Sequence, residues 1–265
     1  QGWLLRWFTP SCEVNLCGHA TLAALLALSH WQRLPAGAAT TFHSRSGPLE
    51  VALDPVRAGW GSLLLPSPGL LPQAAPASLL RLLQRHQLGD PQGFWSSALG
   101  YSVALLAASA DLGAMACPAA ELEGELARGL VLMQPLVAAG GGTAGGAVLE
   151  GEAADYQLRF FAPALGIAED PVTGSAHALV APWWQERLGR SRVVGWQCSD
   201  RPGGMVCEAA SSGMIRLLGS GHLLWDGILH AGCEMAAEPA FADCGSDASP
   251  SEELWSAWRR VTRCG

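Results

Sequence analysis

Two segments of the chain repeat the same order of residues, and this internal repeat restricts the fold more than any other feature. One segment reads RWFTPSCEVNLCGHA, and the other reads RFFAPALGIAEDPVTGSAHA. When Gly18 is aligned with Gly174, a further glycine follows each at a distance of 29 residues, at Gly47 and Gly203. A period of about 156 residues is too long for a solenoid. The repeat therefore predicts two related domains.

Each copy of the repeat predicts the same series of elements: strand, loop, helix, strand, turn, strand. The first strands are predicted at Leu4–Phe8 and Gln157–Phe161, where short aromatic and apolar runs occur. Residues 20–29 are apolar on nearly every side, which is typical of an enclosed helix. The helix that starts near Ser175 contains Pro182, which predicts that it is short or bent.

Composition and charge exclude several classes of protein. Hydrophobic residues make up 49% of the 265 residues, which favours a substantial core. The net charge of −7 argues against a nucleic-acid-binding surface. All 16 basic residues are arginine, so the chain offers no lysine for a pyridoxal-phosphate Schiff base or a Walker-type phosphate site.

The eight cysteines are widely spaced and form no CxxC pair, which favours a reducing, cytoplasmic location. Apolar runs of membrane-spanning length are absent, as is a signal-peptide pattern, so we expect no membrane association. Cys12, Cys17 and His19 could form one corner of a metal site, but a second ligand pair with zinc spacing is missing. We therefore expect no metal. Cys17 is expected to be a small buried residue.

The steps Gly18-His19-Ala20 and Gly174-Ser175-Ala176 are predicted to lie where two helices begin. A helix N-terminus exposes unpaired N–H groups and the positive end of the dipole, so it favours carboxylate or enolate oxygens. The alternative is structural, because these glycines could allow tight strand-to-helix packing while Ser175 acts as an N-cap. Both interpretations stay open on the residues alone.

Two polar side chains near these steps have a functional and a structural interpretation. Asp170 could position or transfer a proton at the helix start, or it could cap its own backbone in an Asp-Pro turn. His19 could be a neutral ring that hydrogen-bonds substrate, or a partly buried capping histidine. Glu169 is expected to face solvent or an arginine.

The strings RWFTPSCEVNLCGHATLAALLAL, FFAPALGIAEDPVTGSAHA and QCSDRPGGMV occur in this order. Together they resemble the PhzF family of phenazine biosynthesis-like proteins, and its vertebrate members most, over roughly residues 3–229. That family is similar in fold to diaminopimelate epimerase. The resemblance implies an α+β fold with two pseudo-symmetric domains, each a curved, mostly antiparallel sheet around a central helix. We expect an N-terminal domain over 1–98, a C-terminal domain over 99–229 and a tail over 230–265.

The resemblance also implies an activity. Members of the family act as isomerases without a metal or organic cofactor, and they shift a proton on a small cyclic amino or hydroxy carboxylate between the two domains. Matching the motifs makes His19, Asp170 and Ser175 the expected catalytic residues. The expected substrate-binding residues are Gly18, Ala20, Gly174 and Ala176.

One part of the family pattern is not found. Its main acid/base glutamate lies in an Asn-x-Ser-Glu-Thr-Ala-Phe segment upstream of the RWFTP strand, where this sequence begins. We therefore expect an isomerase if the full protein contains that segment. The alternative is a non-catalytic interaction protein that keeps the fold. The expected partners are a small anionic substrate and a second copy in a homodimer, with no nucleic acid.

Overall fold

A computed structural model describes residues 2–8, 12–136, 147–211, 213–227 and 242–243. The described residues divide into two compact units, one within 1–63 and 219–249 and the other within 64–218. The predicted domains 1–98 and 99–229 divide the chain differently, and their bounds stay a prediction. The segment 230–265, predicted as a tail, lies almost wholly outside the described residues.

The elements of the described residues alternate between short strands and four helices. In chain order they are β1 (Gly2–Leu4), β2 (Trp7–Phe8), β3 (Cys12–Val14), α1 (Gly18–His30), β4 (Ala39–Ser44), β5 (Gly47–Leu53), β6 (Trp60–Pro66), β7 (Leu71–Pro72), α2 (Ala77–Arg85), β8 (Gly93–Ser96), β9 (Ser102–Leu105), α3 (Gly124–Arg128), β10 (Leu130–Pro135), β11 (Val148–Leu149), β12 (Glu152–Ala153), β13 (Tyr156–Ala162), β14 (Ile167–Asp170), α4 (Gly174–Leu188), β15 (Arg192–Gln197), β16 (Gly203–Ala209), β17 (Met214–Ser220) and β18 (Ala242–Asp243).

In the first unit, helix α1 lies beside a small sheet. Strands β4, β5 and β6 pair antiparallel in sequence, and β1 pairs parallel with β4. The predicted strand Leu4–Phe8 is divided between β1 and β2, and β2 pairs with β3. Among the described residues, only Thr21 and Leu25 of α1 are buried. The expectation that this helix is enclosed was therefore wrong. Apolar composition does not enclose a helix unless neighbouring strands cover every side.

In the second unit, the strands form a mostly antiparallel sheet. The order is β17-β16-β15-β13-β10-β9-β8-β7, with β14 on β13. Among these described strands, only the β9–β10 and β13–β15 pairs are parallel. Helix α2 buries Leu79, Leu82 and Leu83 in a core with residues of β9, β10 and β13. Their spacing of three and four residues places them on one helix face.

Helix α4 is the central helix of the second unit. It contacts β15 and β16, and nine of its 15 residues are buried. Pro182 lies inside α4 without ending it, so the helix is not short. Burial of the surrounding turns can offset the hydrogen bond that a proline removes. Among the described helices, none is long and apolar enough to cross a membrane.

Candidate functional site

The loop from Asp170 to Thr173 leads directly into α4. Strand β14 ends at Asp170, and the extended backbone of Thr173 (φ −110°, ψ 99°) forms the N-cap of the helix. The Thr173 hydroxyl donates a 2.7 Å hydrogen bond to Oδ2 of Asp170. Asp170 is partly exposed. The Asp170 carboxylate is thus held by a hydroxyl and positioned at the start of the helix.

Gln197 is the last residue of β15, and its side chain hydrogen-bonds the loop between Asp170 and Thr173. The sequence pattern did not predict this contact. The side chain of Gln197 is fully buried. Oε1 accepts from the Thr173 N–H at 2.7 Å, while Nε2 donates to the Asp170 carbonyl and, at 3.2 Å, to the Thr173 hydroxyl. One amide side chain therefore fixes both ends of the loop.

Ser175 is the second residue of α4 and not its N-cap. Its hydroxyl shares a hydrogen bond with the hydroxyl of Tyr101, with 3.2 Å between Oγ and Oη. The N–H of His177 is the first in this helix to bond back, to the Thr173 carbonyl at 3.1 Å. The amides of Gly174, Ser175 and Ala176 precede that first turn bond, as expected of an anion-favouring helix start.

Arg159 and Glu169 form a buried ion pair next to the loop. Arg159 donates from Nε and Nη2 to the two carboxylate oxygens of Glu169, at 2.7 and 2.6 Å. Another guanidinium nitrogen donates to the carbonyls of Leu112 and Met115. Glu169 was expected to face either solvent or an arginine, and the arginine is confirmed. This pair ties β14 to β13 immediately before Asp170.

The first unit contains the counterpart of this pair. Arg6 donates from Nε and Nη2 to the two oxygens of Glu13, each at 2.9 Å. Arg6 and Arg159 occupy the same place in the repeated motif, and each glutamate precedes its loop and helix. The repeat seen in the sequence is therefore also a repeat of side-chain contacts.

The start of α1 carries the other predicted site residues. Helix α1 begins at Gly18 with Cys17 as its N-cap, as α4 begins at Gly174 after Thr173. The Cys17 sulfur lies 3.4 Å from Nε2 of His19, and His19 is exposed. Cys17 is a free, partly exposed thiol rather than a buried residue. The expectation that the reaction takes place between the two domains stays a prediction.

His177 is a structural histidine inside the second unit. Its Nδ1 lies 2.9 Å from the hydroxyl of Tyr156, whose ring stacks on Trp184. Burial lowers the pKa of His177 to about 3, so the ring is neutral. A Cβ atom added at Gly195 would lie 2.4 Å from Nδ1 of His177, so the absence of a side chain at this position leaves room for the imidazole. The cluster of Tyr156, His177 and Trp184 thereby packs α4 against β13.

A metal site would need several ligands in one place. Within the described ranges, no three His, Cys, Asp or Glu side chains lie close enough together to hold a metal ion. The proposed corner of Cys12, Cys17 and His19 includes one residue, Cys12, whose side chain is outside the description.

Comparison with known proteins identifies the family. A model described as phenazine biosynthesis-like protein, PhzC-PhzF, matches residues 2–217. An uncharacterized isomerase of Pseudomonas aeruginosa is 36% identical over 78% of this chain and 70% of its own length. The human phenazine biosynthesis-like domain-containing protein is 31% identical over 86% of this chain and 77% of its own length.

Solved structures give the same result. A phenazine biosynthesis protein of the PhzF family from Enterococcus faecalis has a TM-score of 0.67 at 26% identity, covering 83% of this chain and 75% of the other. A Pseudomonas aeruginosa protein described as a predicted epimerase has a TM-score of 0.56 at 20% identity, over 84% and 79%, and shows the fold alone. The α+β, diaminopimelate epimerase-like fold expected from the motifs is confirmed. This chain belongs to the phenazine biosynthesis-like, or PhzC/PhzF, protein family.

Proposed function

We propose that this chain is a cofactor-independent isomerase that shifts a proton on a small cyclic amino or hydroxy carboxylate. The observation that carries the proposal is the Asp170 carboxylate, held by the Thr173 hydroxyl at 2.7 Å at the start of α4. The isomerase names among its relatives support the reaction class.

The proposed reaction is a proton transfer that leaves the composition of the substrate unchanged. A general base removes a proton from carbon, the electron pair moves into the adjacent π system, and a proton returns at another carbon. The developing negative charge needs hydrogen-bond donors that are already in place. Ser175 and the first amides of α4, at Gly174 and Ala176, are proposed to supply them.

Asp170 and His19 are proposed to take part in the proton transfer, and Ser175 to orient the substrate. The assignment rests on the family motifs together with the contacts of Asp170 and Ser175. Gly18 and Ala20 are proposed to bind the substrate through their backbone amides.

A cytoplasmic location also remains part of the proposal, supported by the free thiols of Cys117, Cys198 and Cys207.

Deuterium exchange tests this function directly. Dihydro-hydroxyanthranilate is incubated with the full-length protein in deuterated buffer, and incorporation at carbon is followed by NMR. We expect exchange by the wild-type protein and a loss of about 10² to 10⁴ in rate for Asp170→Asn, the usual contribution of a general acid–base. The matched control is Asp90→Asn, at an exposed aspartate in the turn after α2. His19→Asn tests the second residue in the same assay.

Two results would contradict the proposal. If the wild-type protein exchanges no deuterium at saturating substrate, this substrate class is wrong. If exchange proceeds equally well in Asp170→Asn, the assignment of Asp170 as a proton-transfer residue is wrong although the isomerase remains.

A further inference from the structure

Tyr101 is placed firmly beside the candidate site by its backbone. It immediately precedes β9, at the end of the turn that joins β8 to β9. Its carbonyl accepts from the N–H of Ser97 at 3.0 Å and from the Ser97 hydroxyl at 3.2 Å. The Tyr101 N–H lies 3.2 Å from the same hydroxyl oxygen. These contacts fix where the side chain leaves the sheet.

The ring of Tyr101 is positioned by packing. Its centroid lies 4.8 Å from that of Phe160, and Phe160 pairs across the sheet with Asp170. A Cβ atom on Gly129 would lie 2.5 Å from Cδ1 of Tyr101, so the absence of a side chain at 129 leaves space for the ring. The hydroxyl is thereby directed to Ser175, with 3.2 Å between the two oxygens.

The hydroxyl of Tyr101 remains a hydrogen-bond donor at neutral pH. Burial is the main cause that raises the pKa of Tyr101, and the negative charge of Asp170 adds to it, against the opposite effect of the hydrogen bond with Ser175. A protonated phenol is more acidic than a serine hydroxyl and so suits an oxygen that gains negative charge. Tyr156, the second of the two tyrosines, is fully buried against His177.

We propose that Tyr101 is a further substrate-binding residue of this site, and that its hydroxyl donates to the same substrate oxygen that Ser175 contacts. That oxygen belongs to the substrate carboxylate and gains further negative charge when the proton leaves carbon. The inference deepens the proposed function and rests on it, because it assigns a second fixed hydroxyl to the anion-stabilising group at the start of α4.

Binding of 3-hydroxyanthranilate, an aromatic relative of the proposed substrate, tests the role of Tyr101 by isothermal titration calorimetry. We expect Tyr101→Phe to weaken binding by about 10-fold or more, the effect of losing a hydrogen bond to a charged group. Tyr156→Phe is the matched control: it removes the other phenol, so the dissociation constant should stay unchanged at a temperature where the variant is folded. Melting temperatures are recorded for both variants.

A spectroscopic readout separates binding from support of the fold. In Tyr156→Phe, Tyr101 is the remaining tyrosine, so its ionisation is followed by ultraviolet absorbance during a pH titration. A bound anion that accepts from the hydroxyl favours the protonated phenol. We expect 3-hydroxyanthranilate to move the titration of Tyr101 to higher pH. This measurement also decides the matter if Tyr101→Phe fails to fold.

The outcomes distinguish the two proposals. If the wild-type protein binds the ligand while Tyr101→Phe binds it equally well and the titration does not move, Tyr101 has no such role and the proposed function stands. If the wild-type protein binds no ligand and exchanges no deuterium, the proposed function fails and the role of Tyr101 fails with it.

Discussion

The amide side chain of Gln197 accepts the Thr173 N–H at 2.7 Å and so fixes the residue that caps α4. It also donates to the carbonyl of Asp170 from a fully buried position. The geometry of the candidate site is therefore set by a residue on β15 whose hydrogen bond to Asp170 goes to the main-chain carbonyl. Replacing Gln197 should therefore make the loop before α4 more mobile than the loss of overall stability alone would explain.

Gln197→Leu should lower the free energy of unfolding by about 1 to 3 kcal/mol, because buried backbone groups lose their partners. Hydrogen exchange at the amides of 172–175 should also become faster. The control is Gln185→Leu, since Gln185 bonds the carbonyls of Ser191 and Cys207 near the other end of α4. That variant should lose stability without faster exchange in the loop. Equal exchange in both variants would show that Gln197 does not position the site.

Glu169→Gln should lower the free energy of unfolding by roughly 3 kcal/mol, because it leaves the buried Arg159 guanidinium without its counter-charge. The side chains of Arg159 and Glu169 are only 3% and 10% exposed. Urea denaturation measures the change. The control pair, Arg192 and Glu152, is 41% and 45% exposed, so Glu152→Gln should cost far less. Similar losses in the two variants would refute the argument from burial.

The pKa of His177 predicts a loss of stability in mild acid. Burial lowers it to about 3 in the folded protein, whereas an unfolded histidine titrates near 6.5. The unfolded chain therefore binds the proton more tightly, and stability falls as the pH drops from about 6.5 towards 3, by up to about 1.4 kcal/mol per pH unit. Above about 6.5 this contribution is fully present.

Urea unfolding at several pH values between about 7.5 and 5 measures this slope. His177→Phe should flatten it, because the titrating group is removed. His222→Gln changes an exposed histidine outside the cluster and serves as the control. A slope that His177→Phe leaves unchanged would mean that another group causes the acid sensitivity.

Several features of the site followed from local sequence patterns. The glycine at the first position of each helix, the loop before it and the Arg–Glu pairing of Glu169 all depend on residues close together in the repeated motif. The spacing of residues within the motif specifies such contacts, because it sets where the strand, the turn and the helix begin. Of the two outcomes predicted for the helix that contains Pro182, a short helix was wrong, because tertiary packing lets α4 continue over 15 residues, and a bend stays a prediction.

The sequence by itself determined the family, the α+β fold and the residues expected at the two helix starts, because long motifs keep their order and spacing. Only the tertiary structure brought Tyr101 to Ser175, 74 residues apart, and Gln197 to Thr173, 24 residues apart. Those contacts depend on strand order and register, with β13 between β10 and β15. No local pattern specifies such an order, since it follows from the way the whole sheet buries its apolar side chains.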